Sequence, residues 1–565
     1  MIGNETFFGN PVSLGISRSK FHFCPVNTGT FVTGKLVPFY MNSLILPGTT
    51  VKCDLRTLIR GSTPIAVPAD NAYIDTFFFF VPHKLVLSRQ SMSPDVNDTN
   101  NSWAAFVGAQ DSLLNMPVPD ERKLPGMVIG GDTPFVGGFW DWTGQTMSNV
   151  GNDLTIRVNP LTFMAYCKVW NDYFRDPNGS MNPVAFDISG GNTYPSGGPT
   201  GWAGSNGLHV RQYDLLPTCR FHGYFGSALP WPQRNSQTVM IPLGDRAPLV
   251  AGSIYDMVQD PSYTPGSILL SGKGSGGVND SGNIYGNSGS STDIKTSLYA
   301  DLSQAAATSV NTFRRLVQEQ RWFEALARSG NNTLSELTAG MFNVTPSDAV
   351  SNRAELLGSK RIPLNIIQVN NTAGNNVSSS TQSSLGSTGS FSLTNDDSFM
   401  FSKSFDTWGT LLGVAVVRVD DTFSQGLERS YTKFFRFDYY WPQFANLGEQ
   451  PILNREMMVA FNASSDNAVF GYQEAWSEYR HAFNHVCGLV RPGQSLGYWT
   501  YANNFKSVPT LGGFLDASKQ VSNVDQTLQV TSTASGFQWI GQFATDLTVV
   551  QPLPTYSIPG LVDHH

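Results

Sequence analysis

Residue types capable of chemistry are sparse in this sequence, and their spacing argues mostly against catalysis. His481 and His485 stand four apart in EYRHAFNHV. On a helix that spacing would put both imidazoles on one face, as metal ligands could be. No Glu follows His481, and the flanking sequence reads equally well as strand, so a structural pair is the preferred reading. Asp396-Asp397 and Asp420-Asp421 could be offered as glycosidase acids. Adjacent strand residues point to opposite faces, so neither doublet makes an acid–base couple by itself; turn or calcium-ligating roles fit better. Gly272-Lys273-Gly274-Ser275-Gly276-Gly277 matches the spacing of a dinucleotide loop. It lies in low-complexity sequence without the following helix whose amides would hold a pyrophosphate. G-x-S-x-G and the P-loop pattern do not occur. No catalytic residue, metal ligand or cofactor is assigned.

One stretch does combine cations with rings: Glu428-Arg429-Ser430-Tyr431-Thr432-Lys433-Phe434-Phe435-Arg436-Phe437-Asp438-Tyr439-Tyr440-Trp441. Cations following a phosphate backbone, interleaved with rings on which bases stack, hold single-stranded nucleic acid. Arg429, Lys433 and Arg436 are therefore candidate nucleic-acid contacts. The competing reading is a buried strand with rim charges at an intra- or intersubunit contact. The first 60 residues add Arg18, Lys20, Lys35, Lys52, Arg56 and Arg60 against Glu5 and Asp54, in a chain of formal net charge −7. Such asymmetry can mark an arm that meets nucleic acid, which nominates Arg18 and Lys20; a basic strand surface balanced elsewhere is the plainer alternative.

The elements that must position these residues are mainly strands. Thr49–Arg60 alternates apolar and polar around Val51, Cys53, Leu55, Thr57 and Ile59, a half-buried strand pattern. Ala72–Pro82 (AYIDTFFFFVP) is apolar almost throughout, as a strand buried on both faces would be. Strand text returns at Leu411–Val419, Phe434–Tyr440, Val524–Val530 and Phe537–Val550. Helices are few. Asn159-Pro160 opens one, with Phe163, Cys167, Trp170 and Phe174 at helical spacing and Pro177 as its stop. Asp301–Arg328 carries the apolar stripe Leu302, Ala306, Val310, Phe313, Val317 and Leu326, and Thr333-x-x-Glu336 reads as a capping box.

At 565 residues the length prior is three or four domains. The polar segments 187–207, 252–292 and 371–390 interrupt the strand framework rather than end it, so they read as insertions between strands. Long runs of strands with helices confined to connections point to a mainly β sandwich or jelly roll with elaborated loops. Charged residues are 14% against about 25% in ordinary soluble domains, while aromatics reach 12%. Interface cores are poor in charge and rich in rings, so much of this surface is expected to meet partners. No run approaches the roughly 18 apolar residues of a membrane helix. The start of the sequence lacks the basic and apolar regions of a secretory signal. Five scattered cysteines without C-x-x-C argue against a disulfide scaffold or structural zinc; synthesis in a reducing cytoplasm is expected.

The ring-rich blocks also carry a resemblance. Thr33-Gly34-Lys35-Leu36-Val37-Pro38-Phe39-Tyr40, Leu46-Pro47-Gly48-Thr49 and Asp70–Pro82 resemble the opening of the gokushovirus major capsid protein family. So, in order, do Leu229–Gln233, Gln425–Arg429, Arg436–Pro442, Phe470–Trp476 and Tyr556–Leu561, from about residue 13 to the end. The family implies an eight-stranded antiparallel jelly-roll barrel with long inter-strand insertions, assembling into a T=1 icosahedral shell around circular single-stranded DNA. It implies no enzyme activity, and a virion formed in the cytoplasm of a bacterial host. Its partners would be copies of itself, the packaged DNA, small DNA-binding and pilot proteins of the virion, and a host cell-surface receptor, without membrane insertion. On that pattern residues 1–30 are a basic arm and 31–243 with 299–565 the jelly-roll domain. Residues 244–298 are the host-recognition insertion at the three-fold protrusion, with Tyr255, Tyr263, Lys273, Asn279 and Tyr285 as candidate receptor contacts. A β-sandwich glycan-binding or glycan-active protein is the alternative.

Overall fold

The computed structural model describes residues 17–86, 127–129, 137–144, 156–159, 161–176, 215–232, 249–251, 298–300, 310–328, 342, 344, 353–370 and 388–556. Nine strands make the framework: β1 (Ser19–Phe23), β2 (Val26–Phe31), β3 (Val37–Ile45), β4 (Thr50–Gly61), β5 (Ala72–Pro82), β6 (Glu355–Pro363), β7 (Thr394–Ser404), β8 (Gly409–Val419) and β9 (Trp539–Gln551). They form two antiparallel sheets. One is ordered β1-β9-β4-β7, with β2 also pairing β9; the other is β6-β5-β8-β3. Consecutive strands change sheet at every step except β1 to β2 and β5 to β6.

Side-chain alternation explains the first sheet. In β4, Val51, Cys53, Leu55, Thr57 and Ile59 are buried while Lys52, Arg56 and Arg60 are exposed, as the period of two requires. β9 alternates in the same way, burying Trp539, Phe543, Leu547 and Val549. These side chains meet Phe39, Phe78 and Phe80 of the second sheet in one continuous core. Phe39 stacks on Phe543 at 4.6 Å between centroids, and Phe78 meets Phe39 edge-on at 5.4 Å, geometries that ring quadrupoles favour.

β5 is buried on both faces, as its unbroken apolar text implies. Its other face presents Phe79 and Val81, beside Leu412 and Val414 of β8, to a second core. The cover is the helix Leu161–Val169, continued by a π-turn over Trp170–Phe174. The amide of Leu161 donates to Asn159 Oδ1 at 3.0 Å, the side-chain cap expected there. Tyr166 ties the helix to the sheet, donating its hydroxyl to the Leu36 carbonyl at 2.7 Å.

Residues 19–23 and 26–31, which fall mostly within the expected basic arm, are strands β1 and β2. Two expectations need correction. Phe434–Tyr440 is not a strand; it lies in a chain of short 3-10 turns at Arg429–Thr432, Arg436–Asp438 and Pro442–Phe444. The amides of Phe434 and Phe435 donate to the Asp438 carboxylate, at 2.9 and 2.8 Å, instead of to a neighbouring strand. Val524–Val530 starts in a helical turn, Val521–Asp525, where Asp525 accepts from the Ser532 amide at 2.9 Å. Residues 301–309 and 333–336 lie outside the described residues, and the helix expected from Asp301 is described as Val310–Arg328.

The chain divides into two units, residues 1–232 with 326–565, and residues 233–325. The strands above all belong to the first. In the second, Leu249–Ala251 pairs antiparallel with Leu298–Ala300, Leu249 opposite Ala300. That pairing brings together the two ends of the segment 252–297.

Candidate assembly surface

The connection from β8 to β9 builds the region that carries the cation-and-ring stretch. Its own small core gathers Tyr224, Phe225, Ile452, Met457, Phe470 and Phe514. A buried polar network links it to the end of β8. Arg220 Nη1 donates to Asp421 at 2.6 Å and to Asn503 Oδ1 at 2.9 Å, with the guanidinium 4.5 Å from the Phe514 ring.

Over this frame the rings are turned outward. Tyr431, Phe434, Phe435, Phe437, Tyr439, Tyr440 and Trp441 are all exposed, Phe434 to 82% of its full area. The cations between them have three different surroundings. Lys433 is withdrawn: its Nζ lies 2.6 Å from Glu478 Oε1, the side chains only 8% and 10% exposed. The ammonium is 4.2 Å from the Tyr479 ring centroid, 5.5 Å from Trp476 and 5.8 Å from Tyr439, a cage in which cation–π attraction adds to the ion pair. Arg429 is half-withdrawn, donating to the Pro451 carbonyl at 2.6 Å beside Glu456. Arg436 is exposed.

Other groups hold the same region in place. Glu456 accepts from the Tyr224 hydroxyl at 2.8 Å and from the Leu453 amide at 3.0 Å. Burial, together with that carboxylate, pushes the Tyr224 phenol well above its ordinary range. Asp438 has its carboxyl held below the usual aspartate range by the two backbone amides it accepts. Trp476, at the closed end of the cage, adopts φ +66° and donates its indole N–H to the Phe444 carbonyl at 2.8 Å. A left-handed tryptophan is uncommon and is sustained only by firm surroundings. Glu478, Trp476 and Tyr479 were not assigned a role from the sequence, because nothing local ties residues 476–479 to a lysine at 433.

The remaining candidates are placed as follows. Arg18 and Lys20 are exposed at the start of the described chain, Lys20 within β1 opposite Val550. The carboxylate doublets face separate cations: Asp396 pairs with Lys360, Asp397 with Arg56 and Asp421 with Arg220. Asp420 accepts from the Tyr73 hydroxyl at 3.4 Å, and burial raises its pKa. His481 and His485 do not share a helix. His485 pairs with Glu428, and His481 lies against the Tyr224 ring. Among the described residues no three His, Cys, Asp or Glu side chains converge as a metal would need. Tyr255, Tyr263, Lys273, Asn279 and Tyr285 lie outside the described residues.

Among the described residues the region is a surface of uncovered rings on a firm frame, with no cluster of metal-ligating side chains. Comparison with known proteins supplies the family. The family model "Capsid protein (F protein)" matches residues 11–561. Capsid protein VP1 of Bdellovibrio phage phiMH2K is 32% identical over 572 residues, covering 99% of this chain and 98% of the relative. Capsid protein VP1 of Spiroplasma virus 4 is 32% identical over 563 residues, covering 97% and 96%. That of Chlamydia phage 1 is 28% identical over 601 residues, covering 97% and 96%. With the match running along almost the whole length, the chain belongs to the capsid protein (F protein) family of the Microviridae, as a structural component of the virion and not an enzyme.

Proposed function

We propose that the chain folds as an eight-stranded jelly roll and assembles into a T=1 icosahedral shell that encloses circular single-stranded DNA and takes part in host attachment. The observation that carries the assembly reading is the band of exposed rings from Tyr431 to Trp441 on a frame held by buried ion pairs. The jelly roll is supported by the strand order. Taking β1 and β2 as one interrupted strand, the sheets read first-eighth-third-sixth and fifth-fourth-seventh-second, the pairing of a double ribbon rolled on itself.

Arg18, Lys20 and Arg436, all exposed, are the proposed DNA contacts. Lys433 and Arg429 act one layer back, holding the ring-bearing turns. The insertion 244–298 is proposed to meet the host receptor, with Tyr255, Tyr263, Lys273, Asn279 and Tyr285 as its contacts. The antiparallel closure of Leu249–Ala251 on Leu298–Ala300 supports an excursion that leaves and rejoins the chain at one place.

The test is cryo-electron microscopy of the material that pellets from a nuclease-treated producing lysate. Isometric shells with protected single-stranded DNA are expected, and deletion of 252–291 should leave shells intact while abolishing attachment. Small soluble species without protected DNA would overturn the shell reading. Failure of the deletion variant to assemble would instead assign the loop to the shell itself.

A further inference from the structure

We infer that the rings from Tyr431 to Phe444 are a contact between copies of this chain and not a stacking bed for the packaged nucleic acid, which leaves Arg436 as the one exposed cation of the stretch that could meet DNA beside them. The inference rests on the capsid reading and names which surface joins the subunits. Area argues first. Taking roughly 200 Å² for a fully exposed ring, the rings of this band leave about 900 Å² open in the single chain. The largest apolar patch of a typical monomer is about 300–600 Å². One partner's share of a standard protein–protein interface is about 800 Å². The band is therefore of the size one subunit contributes.

Charge then selects the occupant. A nucleic-acid bed needs cations along the phosphate path as well as rings. Here Lys433 is withdrawn into its cage with Glu478, and Arg429 turns inward to Pro451 and Glu456. Of the three cations in the stretch, Arg436 alone remains exposed. An almost uncharged field of rings fits an interface core, where charge is depleted and Tyr, Trp and Phe are enriched. Closed shells are built from heterologous contacts in which one patch meets a different patch of the next copy. The band therefore needs no second band opposite it.

Rigidity is consistent with such a contact. The Asp438 carboxylate gathers the amides of Phe434 and Phe435, and Trp441 donates its indole N–H to the Arg436 carbonyl at 2.8 Å. Rings held in place before docking lose little freedom on association.

The experiment is hydroxyl-radical footprinting of the full-length protein in three states: DNA-filled particles, DNA-free shells and dissociated subunits. Side-chain oxidation in 431–444 is expected to fall, as burial of rings in an interface core excludes water from them, on going from subunits to either kind of shell. Protection confined to DNA-filled particles would assign the band to nucleic acid and overturn the inference. Equal oxidation in all three states would also overturn it, while leaving the capsid reading intact, because shells would still have formed. A second measurement uses Phe434→Ser/Phe435→Ser. Subunits that keep the wild-type melting temperature and no longer pellet as shells support the contact; normal shell yield from the same variant would refute it. If the unaltered chain forms no shells at all, the function reading is what fails.

Discussion

Two runs of rings, Phe77–Phe80 in β5 and Phe434–Trp441 in the long β8–β9 connection, have similar composition and opposite surroundings. In β5 each ring has a cover supplied by the same chain. Phe78 and Phe80 face the core between the sheets, while Phe79 and Phe77 pack against Tyr173 and Phe174, at 4.8 and 5.3 Å, on the helical side. In the later run Lys433 just before it pairs inward with Glu478, Asp438 bonds the backbone of Phe434 and Phe435, and the rings stay outside. Ring density therefore does not decide burial. What differs is the second layer, which among the described residues covers the rings of β5 and leaves those of the later run exposed.

The sharpest way to break that contrast is to remove one ring from each run. Phe78→Ala is expected to cost about 3–5 kcal/mol of subunit stability, visible as reduced soluble yield and a lower melting temperature. Phe434→Ala should change the isolated subunit by no more than about 0.5 kcal/mol and weaken assembly instead. Equal losses of subunit stability would erase the distinction.

Next in size is the cage. Lys433→Met leaves the Glu478 carboxylate buried without its cation, which costs about 3 kcal/mol in comparable buried pairs. Lys433→Met/Glu478→Leu should recover most of that loss in denaturant unfolding. A lysine that served only to touch DNA would show neither the loss nor the recovery.

The smallest effect concerns pH. The folded state lowers the Asp438 pKa through two amide donors, so the carboxylate stabilises the turn above the unfolded aspartate value near 3.9. That contribution is lost as pH falls below it, through the folded value. Amide exchange at Phe434 and Phe435, corrected for intrinsic rates, should accelerate on acidification across that window, and Asp438→Ala should remove the dependence.

The comparison also shows where sequence reading works. β4 and β5 are legible because each strand's periodicity states how many of its faces are covered. The helix after Asn159 is legible because its cap is local, Asn159 bonding the amide two residues on. Phe434–Tyr440 has strand composition, yet Asp438 captures the amides a ladder would use, and no periodicity reports such a side-chain–backbone bond. Likewise His481 and His485 suggest a helical pair, while the partner of His485, Glu428, lies 57 positions away. The lysine cage has the same character, because Lys433 and Glu478 meet only once the connection has folded over its own core.

β9 has a consequence in time. It is the last of the nine strands to be synthesised, yet it sits inside its sheet, with β4 along one edge and both β1 and β2 along the other. The first two strands therefore wait for a partner translated more than five hundred residues later, and the sheet has a gap at its centre until residue 551 has emerged. Pairings of such long separation form slowly and leave open edges meanwhile. A nascent or truncated chain lacks the finished sheet, so a capsid that accepts only finished subunits is protected from building in incomplete ones.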